Sequence, residues 1–125
     1  MWLNLLWVVV GSGIGGGSRF LLSKVINDNS SGVFPWATFV VNLTGCLLIG
    51  FISGLIDRGV NIPPQLRALL ITGFCGGFTT FSTFAHENYI LFNDSRFWIV
   101  FLYAVLSFAL GLLLAYFGHY LSRFC

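Results

Sequence analysis

Only three short polar interruptions divide this chain, at Asn27–Gly32, Asp57–Pro64 and Asn93–Arg96. They leave four apolar stretches at about residues 3–26, 34–56, 66–92 and 97–122. Roughly 20 apolar residues in a helix cross the hydrocarbon of a bilayer, so each stretch is long enough to span it. The interruptions carry stop signals: Asn-Asp-Asn-Ser-Ser-Gly and Pro63-Pro64 disfavour helix continuation, and Asn93-Asp94-Ser95 can end one helix and cap the next. With 57% hydrophobic and 8% charged residues, the chain cannot furnish the surface of a soluble domain. The expected fold is an all-α integral membrane domain over residues 1–125, with four transmembrane helices per subunit. The first stretch lacks the basic start of a secretory signal and runs past a plausible cleavage point, so it is expected to stay as mature structure.

Within the third stretch, Gly73-Phe74-Cys75-Gly76-Gly77-Phe78-Thr79-Thr80-Phe81-Ser82-Thr83-Phe84 is the wrong sequence for a simple lipid anchor. Gly76 and Gly77 have low helix propensity, and Thr79, Thr80, Ser82 and Thr83 can bond local backbone groups, so this helix is expected to break at mid-depth. Freed backbone groups in a bilayer must be buried in protein or line something wet, which makes the segment the leading site candidate. Phe81 and Phe84, three residues apart, share one face just after the break. Their electropositive ring edges can attract a small anion, with hydroxyls and amides replacing water.

Lys and Arg near helix ends normally fix orientation, but here they balance. Arg58, Arg67 and Arg123 fall toward the N-terminal side and Arg19, Lys24 and Arg96 toward the other. Insertion both ways is therefore an open reading, as is a weak bias set by another feature such as the α-amino group. Four tightly packed helices leave little room for a solvated path, so one subunit alone is not expected to conduct. An antiparallel pair would bring the broken third helices to a two-fold axis in the membrane plane.

Elsewhere, Gly11, Gly13, Gly15, Gly16 and Gly17 thin the first span. Asn42, Cys46, Gly50 and Gly54 recur at four-residue spacing in the second, a pattern that lets membrane helices approach closely. Gly11–Gly16 also fits a dinucleotide fingerprint, but no βαβ unit surrounds it. Asn42 is costly at depth without a partner, and it either lines a polar path or bonds another helix. In the fourth span Tyr103, Ser107 and Gly111 share a face, as a polar track or as interhelix hydrogen-bonding groups. Arg19, His86 and Glu87 are placed toward helix ends or a vestibule. Cys46, Cys75 and Cys125 have no metal spacing and read as small buried thiols, and the Asn29, Asn42 and Asn93 sequons are uninformative.

Taken together, Gly15-Gly16-Gly17-Ser18-Arg19-Phe20, Pro35-Trp36-Ala37-Thr38-Phe39-Val40-Val41-Asn42 and the Gly73–Phe84 run resemble, in order and spacing, the CrcB/Fluc fluoride channels. The resemblance covers nearly the whole chain. It implies a dual-topology, antiparallel homodimer in a bacterial plasma or inner membrane that exports fluoride passively. It also implies a structural sodium ion (Na+) at the dimer centre, held by the backbone carbonyls of Gly76 and Thr79 from both subunits. Phe81 and Phe84 match the family's pore phenylalanines, Asn42 its pore amide, and Tyr103 with Ser107 its polar track. Thr38 joins the pore set, and Arg19 and Glu87 match positions near the vestibules. Ala37 and Gly111 depart from the family pattern, where glycine and a hydroxyl residue are usual.

Three other classes fit less well. A small proton-coupled multidrug-type exporter shares the outline of four spans in a dual-topology dimer, but relies on a membrane-embedded glutamate that the first span lacks. A scaffold would explain the glycines but not the polar break or Asn42. An enzyme would need a carboxylate pair, metal cluster or activated nucleophile in one pocket, and none is visible.

Overall fold

The computed structural model describes residues 2–125. Four candidate membrane spans cover Trp2–Asn29, Pro64–Asn93, Trp36–Asp57 and Phe97–Phe124. The elements are α1 (Trp2–Asn29), α2 (Trp36–Asp57), α3 (Pro64–Arg67), a π-helical stretch (Ala68–Cys75), α4 (Gly76–Phe78), α5 (Phe81–Asn93) and α6 (Phe97–Leu121), with a final 3-10 turn, Ser122–Phe124. Helix α1 continues through Asn27, Asp28 and Asn29, residues expected in a connector. Asn29 Nδ2 and Ser30 Oγ donate back to the Val25 and Ile26 carbonyls, satisfying the last turn with side chains. Helix α2 ends at Asp57 with Arg58 as its C-cap; Gly59 follows with a φ of +87 that suits a residue without Cβ, and Val60 N–H closes onto Leu55 O.

The packing is two parallel pairs of helices, each brought together by glycine. In the first pair, α1 runs beside residues 64–78. A Cβ added at Gly73 would lie 2.9 Å from Gly11 Cα, and one at Gly77 would lie 2.6 Å from Ser12 O. In the second, α2 runs beside α6, with Gly50 against Ala115, Gly54 against Ser122 and Gly118 against Leu47 and Phe51. Contacts advance together along both members of each pair, which is the mark of parallel helices. Lipid tails are as apolar as leucine, so such backbone proximity, rather than burial of large side chains, is what holds the bundle. Gly50→Ala is accordingly expected to clash with the Ala115 backbone and cost on the order of 1–3 kcal/mol. A melting temperature in detergent equal to the parent's would contradict this.

Not every glycine in α1 serves packing within the subunit. A Cβ at Gly13, Gly16 or Gly17 would meet nothing within 4 Å, whereas Gly11 and Gly15 are buried against the third span. A smaller conventional core sits between α2, α5 and α6, where Phe39, Leu91 and Tyr103 are packed by Phe34, Phe84 and Ile99. The third span thus changes partners along its length: residues 64–78 lie on α1, whereas α5 lies on α6.

Candidate functional site

The change of partner happens at Thr79 and Thr80. Of the residues expected to break the helix, Gly76 and Gly77 stay helical, Gly77 being used for close approach to Ser12, and Thr79 and Thr80 carry the interruption. Helical dihedrals stop after Phe78. Thr79 has φ −86 and ψ 160, Thr80 has φ −151 and ψ 123, and the helix resumes at Phe81.

Asn42 holds this extended pair. Its Nδ2 donates to Thr80 O at 3.1 Å and its Oδ1 accepts from Thr80 N–H at 2.9 Å, so one amide side chain satisfies both backbone groups of one residue. That resolves how an amide is tolerated at this depth. It also redirects donors. In an unbroken helix Thr80 N–H would bond Gly76 O, and Thr83 N–H would bond Thr79 O. Here Thr80 N–H goes to Asn42, and Thr83 N–H goes to Thr80 Oγ1 at 3.3 Å as an N-cap. The same break takes Phe81 N–H and Ser82 N–H away from Gly77 O and Phe78 O, so the carbonyls of Gly76, Gly77, Phe78 and Thr79 all lose their helical donors. Thr79 itself is held by its hydroxyl on Cys75 O at 2.8 Å and by its methyl group against Gly45, where no other side chain would fit.

A cavity of ≈ 590 Å³ opens at the break, and it gathers Asn42, Gly76, Thr79, Phe81, Phe84 and Ser107. These come from α2, both halves of the third span and α6. The Phe81 and Phe84 rings lie 5.9 Å apart, with Phe81 78% exposed at the subunit surface and Phe84 leaning on Tyr103 at 4.8 Å. Ser107 Oγ is buried without a hydrogen-bond partner, a donor left free beside the phenylalanines. An electropositive ring edge, an unused amide N–H and a free hydroxyl in an otherwise apolar chamber suit a small anion.

The other expected residues lie elsewhere. Tyr103 is fully buried, away from the cavity, and its hydroxyl donates to Glu87 Oε1 at 2.9 Å. Glu87, expected only at a rim, is thus tied to the residue beneath Phe84. Gly111 is buried on α6, and a Cβ there would sit 3.2 Å from Cys46 Sγ, so of the three residues on that face only Ser107 opens into the chamber. Thr38 and Arg19 share a second cavity of ≈ 230 Å³ with Thr80 and Thr83, on the other side of the break. Thr80 lines both cavities. Sequence reasoning missed its central place, together with Gly45 and the Glu87–Tyr103 pair. The adjacent threonines were the visible signal for the first, but a bond across 16 residues between two helices leaves no local trace.

The family model described as CrcB-like protein, Camphor Resistance (CrcB), matches residues 6–119. A protein of Flavobacterium psychrophilum is 41% identical over 120 residues, covering 96% of this chain and 97% of its own length. One of Chlorobium phaeobacteroides is 44% identical over 119 residues, covering 95% and 92% respectively. A third, from Bacteroides fragilis, is 40% identical over 123 residues and covers 96% of both chains. All three relatives carry the name fluoride-specific ion channel FluC. Four spans, an interrupted third helix held by an amide, and a match along nearly the whole length agree: the chain is a multi-pass cell-membrane protein and belongs to the CrcB-like family.

Proposed function

We propose that the chain is a fluoride-selective channel that lets fluoride leave the cell passively and so confers fluoride resistance. The observation that carries this reading is the chamber at the Thr79–Thr80 break, where Asn42, Phe81, Phe84 and Ser107 converge. Fluoride is small and strongly hydrated, so it needs donors that replace part of its water shell in a narrow path. The free Ser107 hydroxyl and the second amide N–H of Asn42 provide them, and the ring edges of Phe81 and Phe84 add an electropositive wall. Arg19 and Glu87 serve the approaches, Arg19 beside Thr38, Thr80 and Thr83, and Glu87 through Tyr103.

The working unit in this reading is an antiparallel homodimer in the bacterial plasma (inner) membrane. The exposure of Phe81 and the open face at Gly13, Gly16 and Gly17 support a second subunit against these surfaces. A sodium ion at the dimer centre fits the donor set, because the Gly76 and Thr79 carbonyls are among the four that the break leaves without helical donors and a hard cation prefers oxygen. That ion would supply fixed positive charge at the centre of the pair.

A proton-coupled exporter gains nothing from α1. Its one acidic residue is Asp28, exposed in the last turn rather than embedded. Liposomes containing the purified protein separate the two mechanisms: fluoride efflux should proceed without a pH gradient and stop when no counter-ion path relieves the voltage. Efflux that requires an imposed proton gradient would overturn the channel reading. Topology is tested through Cys125, which is exposed at the chain end. An impermeant maleimide on intact cells should label about half of the Cys125 population, because the flanking charges balance. Labelling of all or none would rule out dual insertion.

A further inference from the structure

Two groups in the central chamber have no part in the conduction reading, the thiols of Cys46 and Cys75. Both are free, and both residues line the cavity from different elements, α2 and the π-helical stretch. Their register follows from the neighbouring contacts, which run antiparallel. Asn42 meets Thr80 and Gly45 meets Thr79; Cys46 is the next residue of α2, and Cys75 lies one turn before Thr79. Cys46 Sγ is also fixed from the third side, against Gly111 of α6. Cys75 is 3% exposed, so its route to solvent is the chamber.

We propose that Cys46 and Cys75 form a binding site for one soft, two-coordinate divalent metal cation. Thiolate sulphur prefers soft ions to hard ones. Among the described residues no third His, Cys, Asp or Glu joins the pair, so a four-coordinate ion such as zinc is left short of ligands while a linear S–metal–S bridge is complete. On binding, both S–H bonds break, two metal–sulphur bonds form and both protons leave to water. No group is oxidised or reduced. A divalent ion with two thiolates is neutral overall, which suits a chamber at membrane depth where net charge is expensive. The bound ion would occupy the same chamber that Asn42 and Ser107 line and so obstruct it.

The test uses the purified full-length protein in detergent and mercuric ion as the probe. Titration followed by the ultraviolet sulphur-to-mercury charge-transfer band and by a pH-stat should show a tight step of about one ion per chain with about two protons released, followed by weaker uptake with one proton at the exposed Cys125 thiol that Cys125→Ser removes. Proteolysis of the loaded protein should yield a mercury-bridged pair of peptides carrying Cys46 and Cys75. The tight step should be lost in Cys46→Ser and in Cys75→Ser and retained in Cys125→Ser. A tight step lost in Cys125→Ser, or bridged peptides that contain Cys125, would overturn the site. Should either serine variant fail to fold, the bridged peptides from the unaltered protein decide. These readouts involve no ion flux, so failure of the channel reading would leave the result interpretable.

Discussion

Asn42→Asp is expected to abolish fluoride passage at neutral and alkaline pH while the protein still folds and assembles as the parent does. The substitution changes two things at once. Asp cannot donate to Thr80 O, so the 3.1 Å bond becomes a repulsion between two oxygens, although its remaining oxygen can still accept from Thr80 N–H. An ionised carboxylate also places a negative charge in the chamber the anion must cross. Two like charges about 4 Å apart at an effective dielectric near 20 repel by about 4 kcal/mol, which corresponds to a roughly thousandfold slower crossing. The sign with pH follows directly. Lowering the pH protonates the carboxyl, removes the charge and restores a donor, so residual flux should rise in acid and fall in base, opposite to a variant that is merely misfolded. Wild-type flux at a pH where the carboxylate is ionised would remove Asn42 from the path.

The second large effect is at the phenylalanines. Phe81→Ile or Phe84→Ile keeps an apolar side chain of useful bulk but deletes the ring edge. If each ring contributes about 0.5–1.5 kcal/mol of oriented interaction, flux should fall by roughly threefold to tenfold or more from that term alone. The two sites should differ in their side effects. Phe84 packs against Tyr103 in the core between α2, α5 and α6, so its replacement also loosens the support that Glu87 gives Tyr103. Phe81 is exposed at the chain's surface, so its replacement should cost little stability of the fold itself. Fluoride-electrode traces from reconstituted variants, normalised to the amount of folded protein by size-exclusion chromatography, check both. Unchanged flux in either variant would refute that ring's role.

The four spans were legible because hydropathy alone decides what can cross a bilayer, and the polar connectors fell close to the helix ends. The location of the interruption was legible only to within a few residues. Glycine weakens a helix in water, which pointed to Gly76 and Gly77, but in a bundle held by backbone proximity Gly77 is a contact residue and the helix runs through it. The break falls at Thr79 and Thr80, the hydroxyl residues of the same run, where Asn42 offers both a donor and an acceptor to Thr80. That pairing joins residues 38 apart and cannot be read from local pattern. Asn42 itself is legible, since a lone amide at depth demands a partner. The same limit applies to the glycines of α1: their spacing announced close packing, but only contacts reveal that Gly11 and Gly15 face the third span while Gly13, Gly16 and Gly17 face outward. The resemblance puts Thr38 with the pore and Arg19 near a vestibule, and the two lie together in the smaller cavity beyond Thr80.

At the centre of this account is a path that admits fluoride because its donors and ring edges replace that ion's water, and that offers a larger halide no equivalent fit. Liposomes loaded with equal fluoride and chloride, with the voltage relieved by a potassium ionophore and both halides followed by electrodes, measure this directly. Rapid fluoride loss with chloride retained is the predicted result. Chloride leaving alongside fluoride, or neither ion moving through folded and reconstituted protein, would contradict it.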